Sequence, residues 1–438
     1  MDSDANVDTR HAADFVLTGI SRLVTVAPER SGSGPLGVIP HGAIAALDGR
    51  IVWVGSEADL AQAVAIESLP DGSQHNAGGR AVLPGFVDSH THFVFAGERA
   101  EEFQLRHAGV SYEELARQGR GILSTVRATR SASEEALRAL GRSRLESFAI
   151  HGTTTVEGKT GYGLSPESEA RCLAVMRSLA AAPDLPAVTP TFLGAHTLPP
   201  EYRERPEDRT AYVDLVCERM LPAFAADARF CDVFCERTAF TVDESRRILE
   251  AARALGYALK LHANQLGPTG GAQLAADLHA VSADHLDFAS DEELDALNAA
   301  GVVGTLLPGC SFSLSIAYPS ARRLREHGVR TALATDFNPG TSYSENMQMM
   351  IALAVSAMAM TLDEAITAAT RGGAAALALE SEVGSLEPGK RCDLIVLRGA
   401  DEREIAYHFG VNLVAQTYLR GKLFGGGTEE VLTGHRHA

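Results

Sequence analysis

Eight short apolar runs recur through the middle of the chain, ending near His90, Glu157, His196, Glu236, His262, His285, Pro308 and Asp336. Between them lie stretches with apolar residues at helical spacing, among them 134–148, 165–181 and 243–255, opened by Ser or Asp. Strand-like runs alternating with helical ones build a parallel sheet covered by helices, because each parallel strand needs a crossover to bring the chain back. Eight such units close a barrel, so the expected fold class is α/β, a (β/α)8 TIM-like barrel. Active sites of such barrels lie at the carboxyl ends of the strands, where the residues that end these runs project.

The flanks read differently. From Asp14 to about Gly79 the chain carries short β-type runs, such as Gly42–Gly49 followed by Arg50–Gly55, with Asp48-Gly49 as a hairpin signal. The stretch Val383–Leu397 returns to the same style. A strand-rich N-terminal piece needs partners to bury its face, so the two ends are expected to pair into a small composite β-sandwich. The expected division is 1–80 and 379–438 for that sandwich and 81–378 for the barrel, since 438 residues exceed one ordinary core.

Charge narrows the function. A formal net charge of −17 repels a phosphate backbone, and nucleic acid is excluded as a partner. The N-terminus, Met1-Asp-Ser-Asp-Ala-Asn, lacks a basic-then-apolar leader, and the apolar stretch Met347–Leu362 falls short of the roughly 20 residues a span needs. A cytosolic protein with no membrane partner is expected. The six cysteines (Cys172, Cys217, Cys231, Cys235, Cys310, Cys392) are scattered, as reduced thiols are, and Cys231 and Cys235 read as buried thiols. Gly152–Thr160 ends in Gly-Lys-Thr, but it has one residue too many for a phosphate loop and places Glu157 against the phosphates. The terminal pair His435 and His437 reads as part of a loose tail.

His90-Thr91-His92 ends the first run. Residues i and i+2 of a strand point to one face, roughly 6.6 Å apart, so both imidazoles can close on one ion. His262 and Asp336 end the fifth and eighth runs, and three imidazoles with one carboxylate suit a single Zn²⁺ or iron ion (Fe²⁺ or Fe³⁺) with one position open for water. Such an ion lowers water's pKa from 15.7 towards about 7. His285, ending the sixth run, is placed to orient that water or stabilise an oxyanion, and Asp336 to take the water's proton.

The stretches Leu83–Arg99, Gly158–Leu164, Phe192–His196 and Asp336–Thr341 resemble the metal-dependent amidohydrolase superfamily. Within it they are similar to the ring-opening hydrolases of histidine degradation, which convert 4-imidazolone-5-propanoate to N-formimidoyl-L-glutamate. The resemblance implies that Arg99 grips the propanoate and that Tyr162 and His196 contact the ring and side chain. It also implies that Asn338, Gly340 and Thr341 hold the polar end of the product, and that the protein is a homodimer. Two positions depart from the pattern. Gln265 stands three residues after His262 where deaminases of the superfamily carry Glu; Gln exchanges no proton, so it reads as a substrate hydrogen-bonding group and proton transfer falls to His285 and Asp336. Arg120 stands where the family tends to have a glycine run. The alternatives are a purine or pyrimidine aminohydrolase, against which Gln265 argues, and a catalytically dead scaffold, against which the intact metal ligands argue.

Overall fold

The computed structural model describes residues 9–29, 34–110, 114 and 120–425; the His435 and His437 pair lies outside them. Its strands are β1 (Phe15–Val24), β2 (Val38–Pro40), β3 (Gly42–Leu47), β4 (Arg50–Ser56), β5 (Gln74–Pro84), β6 (Phe86–Asp88), β7 (Thr153–Lys159), β8 (Ala187–Ala195), β9 (Phe230–Cys235), β10 (Ala258–Ala263), β11 (Ser282–His285), β12 (Val303–Leu306), β13 (Thr331–Leu333), β14 (Leu394–Leu397), β15 (Val414–Leu419) and β16 (Lys422–Leu423).

Strands β6 to β13 follow one another in a single sheet, each parallel to the next. The first and last meet at their carboxyl ends through a parallel bridge between Thr91 and Phe337, where the His92 N–H donates to the Phe337 carbonyl at 2.8 Å. The barrel therefore closes at the residues expected to hold the metal. Helices cover it as the periodicity predicts. Ser133 and Ser165 cap the helices Glu134–Ile150 and Pro166–Ala180. The helix expected from Asp243 starts one residue earlier, at Val242, because Thr241 and Glu244 form a reciprocal capping box ahead of it.

The two ends of the chain do pair. The sheet runs β16-β15-β14-β5-β1-β3-β4 with β2 beside β1, and β14 lies antiparallel to β5, Ile395 opposite Leu83. It is one continuous sheet rather than two separate layers. Phe15, Ile44 and Val54 from its N-terminal strands share a core with Leu394, Val396 and Tyr418 from its C-terminal ones. Asp48 and Gly49 at the β3–β4 turn have φ of 51° and 74°, the pair of positive values that the Asp-Gly signal demands. The chain passes from this sheet into the barrel at Gly85, where an added Cβ would lie 2.3 Å from the Thr154 side chain. Residue 80 falls inside β5.

The stretch read against a phosphate loop forms β7, a strand buried along its whole length. Met347–Ala357 is a single helix of 11 residues. Among the described residues no helix is long and apolar enough to cross a membrane. All six cysteines are free, Cys231 and Cys235 both buried in β9.

Candidate metal centre and substrate pocket

His90 and His92 lie just past β6, which ends at Asp88, and flank the bridging Thr91 at the mouth of the barrel, with ring centroids 5.4 Å apart. His262 ends β10 and approaches His90 to 4.4 Å between centroids; Asp336 Oδ1 lies 3.6 Å from His90 Nε2 and 3.9 Å from His92 Nε2. Three groups of mutually close donor atoms result among the described residues: His90 with His92 and Asp336, His90 with His262 and His285, and His90 with Glu157 and Asp284. His90 belongs to all three. The structure thus brings together the four expected ligands and adds His285, whose ring lies 5.4 Å from that of His262.

The donor set fits a divalent cation on a direct observation: among the described residues the buried His90 Nε2 and His92 Nδ1 have no hydrogen-bond partner. His90 Nδ1 lies 2.6 Å from Asp284 Oδ2, so its N–H is directed to that buried carboxylate and Nε2 is left with a lone pair towards the other donors. Asp232 Oδ2 sits 3.0 Å from His262 Nδ1, although off the line of a ring N–H. Burial pushes His90, His92 and His285 well below the usual imidazole value, with neighbouring charges of like sign adding to the effect, which keeps the rings neutral. Burial likewise pushes Asp336 up to about 7, against the opposing pull of His262. A cation on its oxygen would reverse that, since opposite charge favours the ionised form. His285 and Asp336 both sit at positive φ, 78° and 54°, a backbone conformation that costs a non-glycine residue energy and concentrates at functional sites.

Beneath these rings the barrel interior is ionic. Lys159 Nζ lies 2.7 Å from Asp232, 3.0 Å from Glu157 and 3.5 Å from Asp284; Lys260 Nζ lies 3.1 Å from Glu157 and donates to the Ser89 carbonyl at 2.8 Å. All five side chains are fully buried. Burial pulls Lys159 down, but the three carboxylates outweigh it and hold the ammonium more firmly charged than usual. Burial pushes Asp232 up, and the charges of His262 and Lys159 outweigh that in turn. The sequence reading missed this layer. Its signal was Glu157 with Lys159 and Lys260 with His262, i and i+2 pairs inside apolar runs, and so on one face of their strands.

His196 stacks on His92 at 5.1 Å and 17°, with Nδ1 against the Gly161 carbonyl at 3.1 Å, and burial pulls its pKa down to about 3. Tyr162 meets His196 edge-on at 5.3 Å. Gln265 Nε2 reaches Cys310 Sγ at 3.7 Å. Asn338 is engaged within its own loop: Nδ2 donates to the Asp336 carbonyl and to Thr341 Oγ1, and Oδ1 accepts the N–H groups of Gly340 and Thr341 at 2.8 Å. The Gly340 N–H is taken up by Asn338 Oδ1 within the loop. Gly340 instead makes room for Arg99, whose Nη1 would lie 2.4 Å from an added Cβ. Thr341 Oγ1 reaches Asp336 Oδ2 at 3.2 Å. Arg120 pairs with Glu101 at the surface, 2.8 Å away. Outward of Arg99 and Gly340 opens a cavity of about 650 Å³, lined also by Phe103, Phe312, Tyr343 and Met350.

The family model described as Amidohydrolase family matches residues 81–424. Solved structures share the fold. An adenosine deaminase from Xanthomonas campestris with bound zinc aligns at a TM-score of 0.68 and 18% identity, over 94% of this chain and 93% of that one. A 5-methylcytosine deaminase from Klebsiella pneumoniae liganded with phosphonocytosine aligns at 0.70 and 17%, over 97% and 100%. The barrel, its terminal sheet and its cluster of histidines belong to an amidohydrolase. Sequence relatives narrow the class. The imidazolonepropionase of Symbiobacterium thermophilum is 51% identical over 417 residues, covering 94% of this chain and 97% of that protein. That of Salinispora arenicola is 47% identical, covering 93% and 98%. The chain belongs to the imidazolonepropionase family.

Proposed function

We propose that this enzyme hydrolyses the ring C–N bond of 4-imidazolone-5-propanoate to N-formimidoyl-L-glutamate in histidine degradation, with His90, His92, His262 and Asp336 holding one Zn²⁺ or iron ion. The observation that carries the metal site is the His90 Nδ1 held on the buried Asp284, which leaves a buried Nε2 with no hydrogen-bond partner among the described residues. The bound metal supplies Lewis acidity and a water acidic enough to react at neutral pH.

The reaction adds water's oxygen to the ring carbonyl carbon, breaks the C–N bond and puts a proton on the departing nitrogen. Asp336 takes the water's proton, and His285, neutral and 5.5 Å from His90 between centroids, stabilises the oxyanion as it forms. Tyr162 and His196 make the wall against the ring, and Gln265 hydrogen-bonds it without exchanging a proton. Arg99 grips the propanoate, for which a bidentate guanidinium is the apt partner. Asn338, Gly340 and Thr341 hold the polar end of the product. The terminal sheet takes the expected segments 1–80 and 379–438, with β5 carrying the first of them on to Pro84 before the barrel begins, and the protein works as a cytosolic homodimer.

The test supplies enzymatically generated 4-imidazolone-5-propanoate and follows its ultraviolet absorbance, with guanine and cytosine as controls. Loss of absorbance without ammonia from the controls is expected. His285→Ala should lower kcat by about a hundredfold or more while metal content stays at the wild-type level. Full activity in that variant would remove His285 from the chemistry.

A further inference from the structure

The loop between β7 and the helix Pro166–Ala180 carries Tyr162 and is buried, so its main-chain groups need partners within the protein. Glu169, fully buried on that helix, takes up the N–H groups. Its Oε1 accepts from Gly163 at 2.8 Å and from Leu164 at 2.6 Å, and its Oε2 accepts from Gly161 at 3.2 Å. Burial pushes Glu169 up, and these N–H groups, together with the Thr160 hydroxyl, oppose it. Arg130 serves the carbonyls: Nε donates to Gly163 at 2.6 Å and Nη2 to Leu164 at 3.1 Å.

The clamped loop is one the chain would not keep unaided. Leu164 sits at a φ of 53°, costly for a residue with a Cβ, and such a conformation persists only where its surroundings impose it. Gly161, at 104°, packs so closely that an added Cβ would lie 2.9 Å from His196 Nδ1, and one on Gly163 would lie 2.6 Å from the Glu169 nitrogen. N–H groups turned to one side make a concavity for an anion. Here the anion is the chain's own Glu169, in the place where a phosphate loop would hold a nucleotide.

The clamp reaches both expected ring contacts. Tyr162 lies between Gly161 and Gly163, whose N–H groups both end on Glu169. His196 Nδ1 lies 3.1 Å from the Gly161 carbonyl; a carbonyl only accepts, so Nδ1 carries the proton and Nε2 is left an acceptor. Thr160 Oγ1, bonded to Glu169, accepts the Leu193 N–H at 2.9 Å in β8, the strand that ends beside His196.

We infer that Glu169 is a positioning residue for ring binding: by gathering the N–H groups of Gly161, Gly163 and Leu164 it fixes where the Tyr162 ring stands, and through the Gly161 carbonyl it fixes the tilt and tautomer of His196. The ligand is taken from the ring-opening reading given above, whereas the clamp acts on the loop whatever the ring. Contacts made alike in ground and transition state act on KM rather than kcat.

The test compares metal-loaded wild type with Glu169→Ala and Glu169→Gln, in kinetics on 4-imidazolone-5-propanoate and in amide hydrogen exchange. Glu169→Ala leaves three buried N–H groups without their acceptor and should raise KM about tenfold to a hundredfold, with a much smaller change in kcat. Glu169→Gln returns one oxygen to the loop but turns an NH2 towards Gly161, so it should recover part of that loss. Amides 161–164 should exchange about tenfold faster in the Ala variant, with those of β10 unchanged. In Tyr162→Ala and His196→Ala backgrounds the KM penalty of Glu169→Ala should shrink, because the paired changes remove one shared contact. Unchanged loop exchange, unchanged KM or full additivity in both backgrounds overturns the inference. Equal loss of protection in β10 also overturns it and leaves Glu169 a brace for the whole fold. Should the Ala variant fail to fold, the Gln variant carries the same comparison, and failure of both counts against the inference in the same way. Should the wild type fail to open the ring, the ring-opening reading falls, and hydrogen exchange alone decides the clamp.

Discussion

The floor and the outer wall of the pocket are both charge clusters, and their imbalances have opposite sign. On the floor two ammonium groups, Lys159 and Lys260, face three carboxylates, Glu157, Asp232 and Asp284, a formal surplus of one negative charge (three less two). Asp336 above them brings the total to two, the charge of a divalent cation. On the wall Arg99 and Arg106 face Glu102 alone, a surplus of one positive charge. The sign of each imbalance agrees with the proposed reading of a cation at the floor and a carboxylate at the wall. The clusters also differ in scaffold. Floor residues are fixed on strands in parallel register, Lys260 beside Asp232 and His262 beside Asp284, whereas the wall sits on one short helix and a loop.

The comparison can be broken most severely at Lys159. Lys159→Met would strand Asp232 and Glu157 as buried, uncompensated charges, and folding stability should fall by about 3–5 kcal/mol in urea titrations. A variant as stable as wild type would mean that the floor takes up protons freely, and the charge argument would fail. Asp284→Asn tests the floor's hold on the metal. With the carboxylate against His90 Nδ1 gone, metal affinity measured by chelator competition should weaken about tenfold to a hundredfold, and an unaltered constant would remove Asp284 from ligand orientation.

At the wall, Glu102→Gln raises the formal surplus from one to two. KM for the anionic substrate should then rise more steeply with added salt than in wild type, since screening acts on a larger attraction. Equal salt dependence would show that the wall's charge is not what the substrate meets. The smallest effect is expected at Arg120→Ala. That arginine forms an exposed pair with Glu101, and its removal should leave the melting midpoint and KM unchanged. A clear shift in either would extend the wall to that loop.

What could be read from the sequence was whatever repeats locally. Eight apolar runs with helical stretches between them announce a barrel, because strand and helix periods are properties of a few consecutive residues. The residues that end those runs, His90, His92, His262, His285 and Asp336, could be named as a site because the architecture collects strand ends in one place. The Asp-Gly turn and the pairing of the chain's two ends were legible for the same reason. The first cap of the helix at Val242 was not, since Thr241 precedes the apolar period that marks the segment.

The tertiary structure alone decided which charges meet. Lys159 finds Asp232 and Asp284 at 73 and 125 residues along the chain, and Asp284 reaches His90 across 194. Periodicity carries no record of such pairings, and a Lys or Glu in a strand looks the same whether it faces water or a buried counter-ion. Asn338 and Gly340 teach the same lesson from the other side. Their motif marks them as important, while only the folded loop shows that Asn338 takes the Gly340 N–H and that the bare Cα of Gly340 admits Arg99. Residue order determined where the polar groups stand along each strand, and long-range packing determined their partners, because Coulomb energy depends on separation in space and on local desolvation.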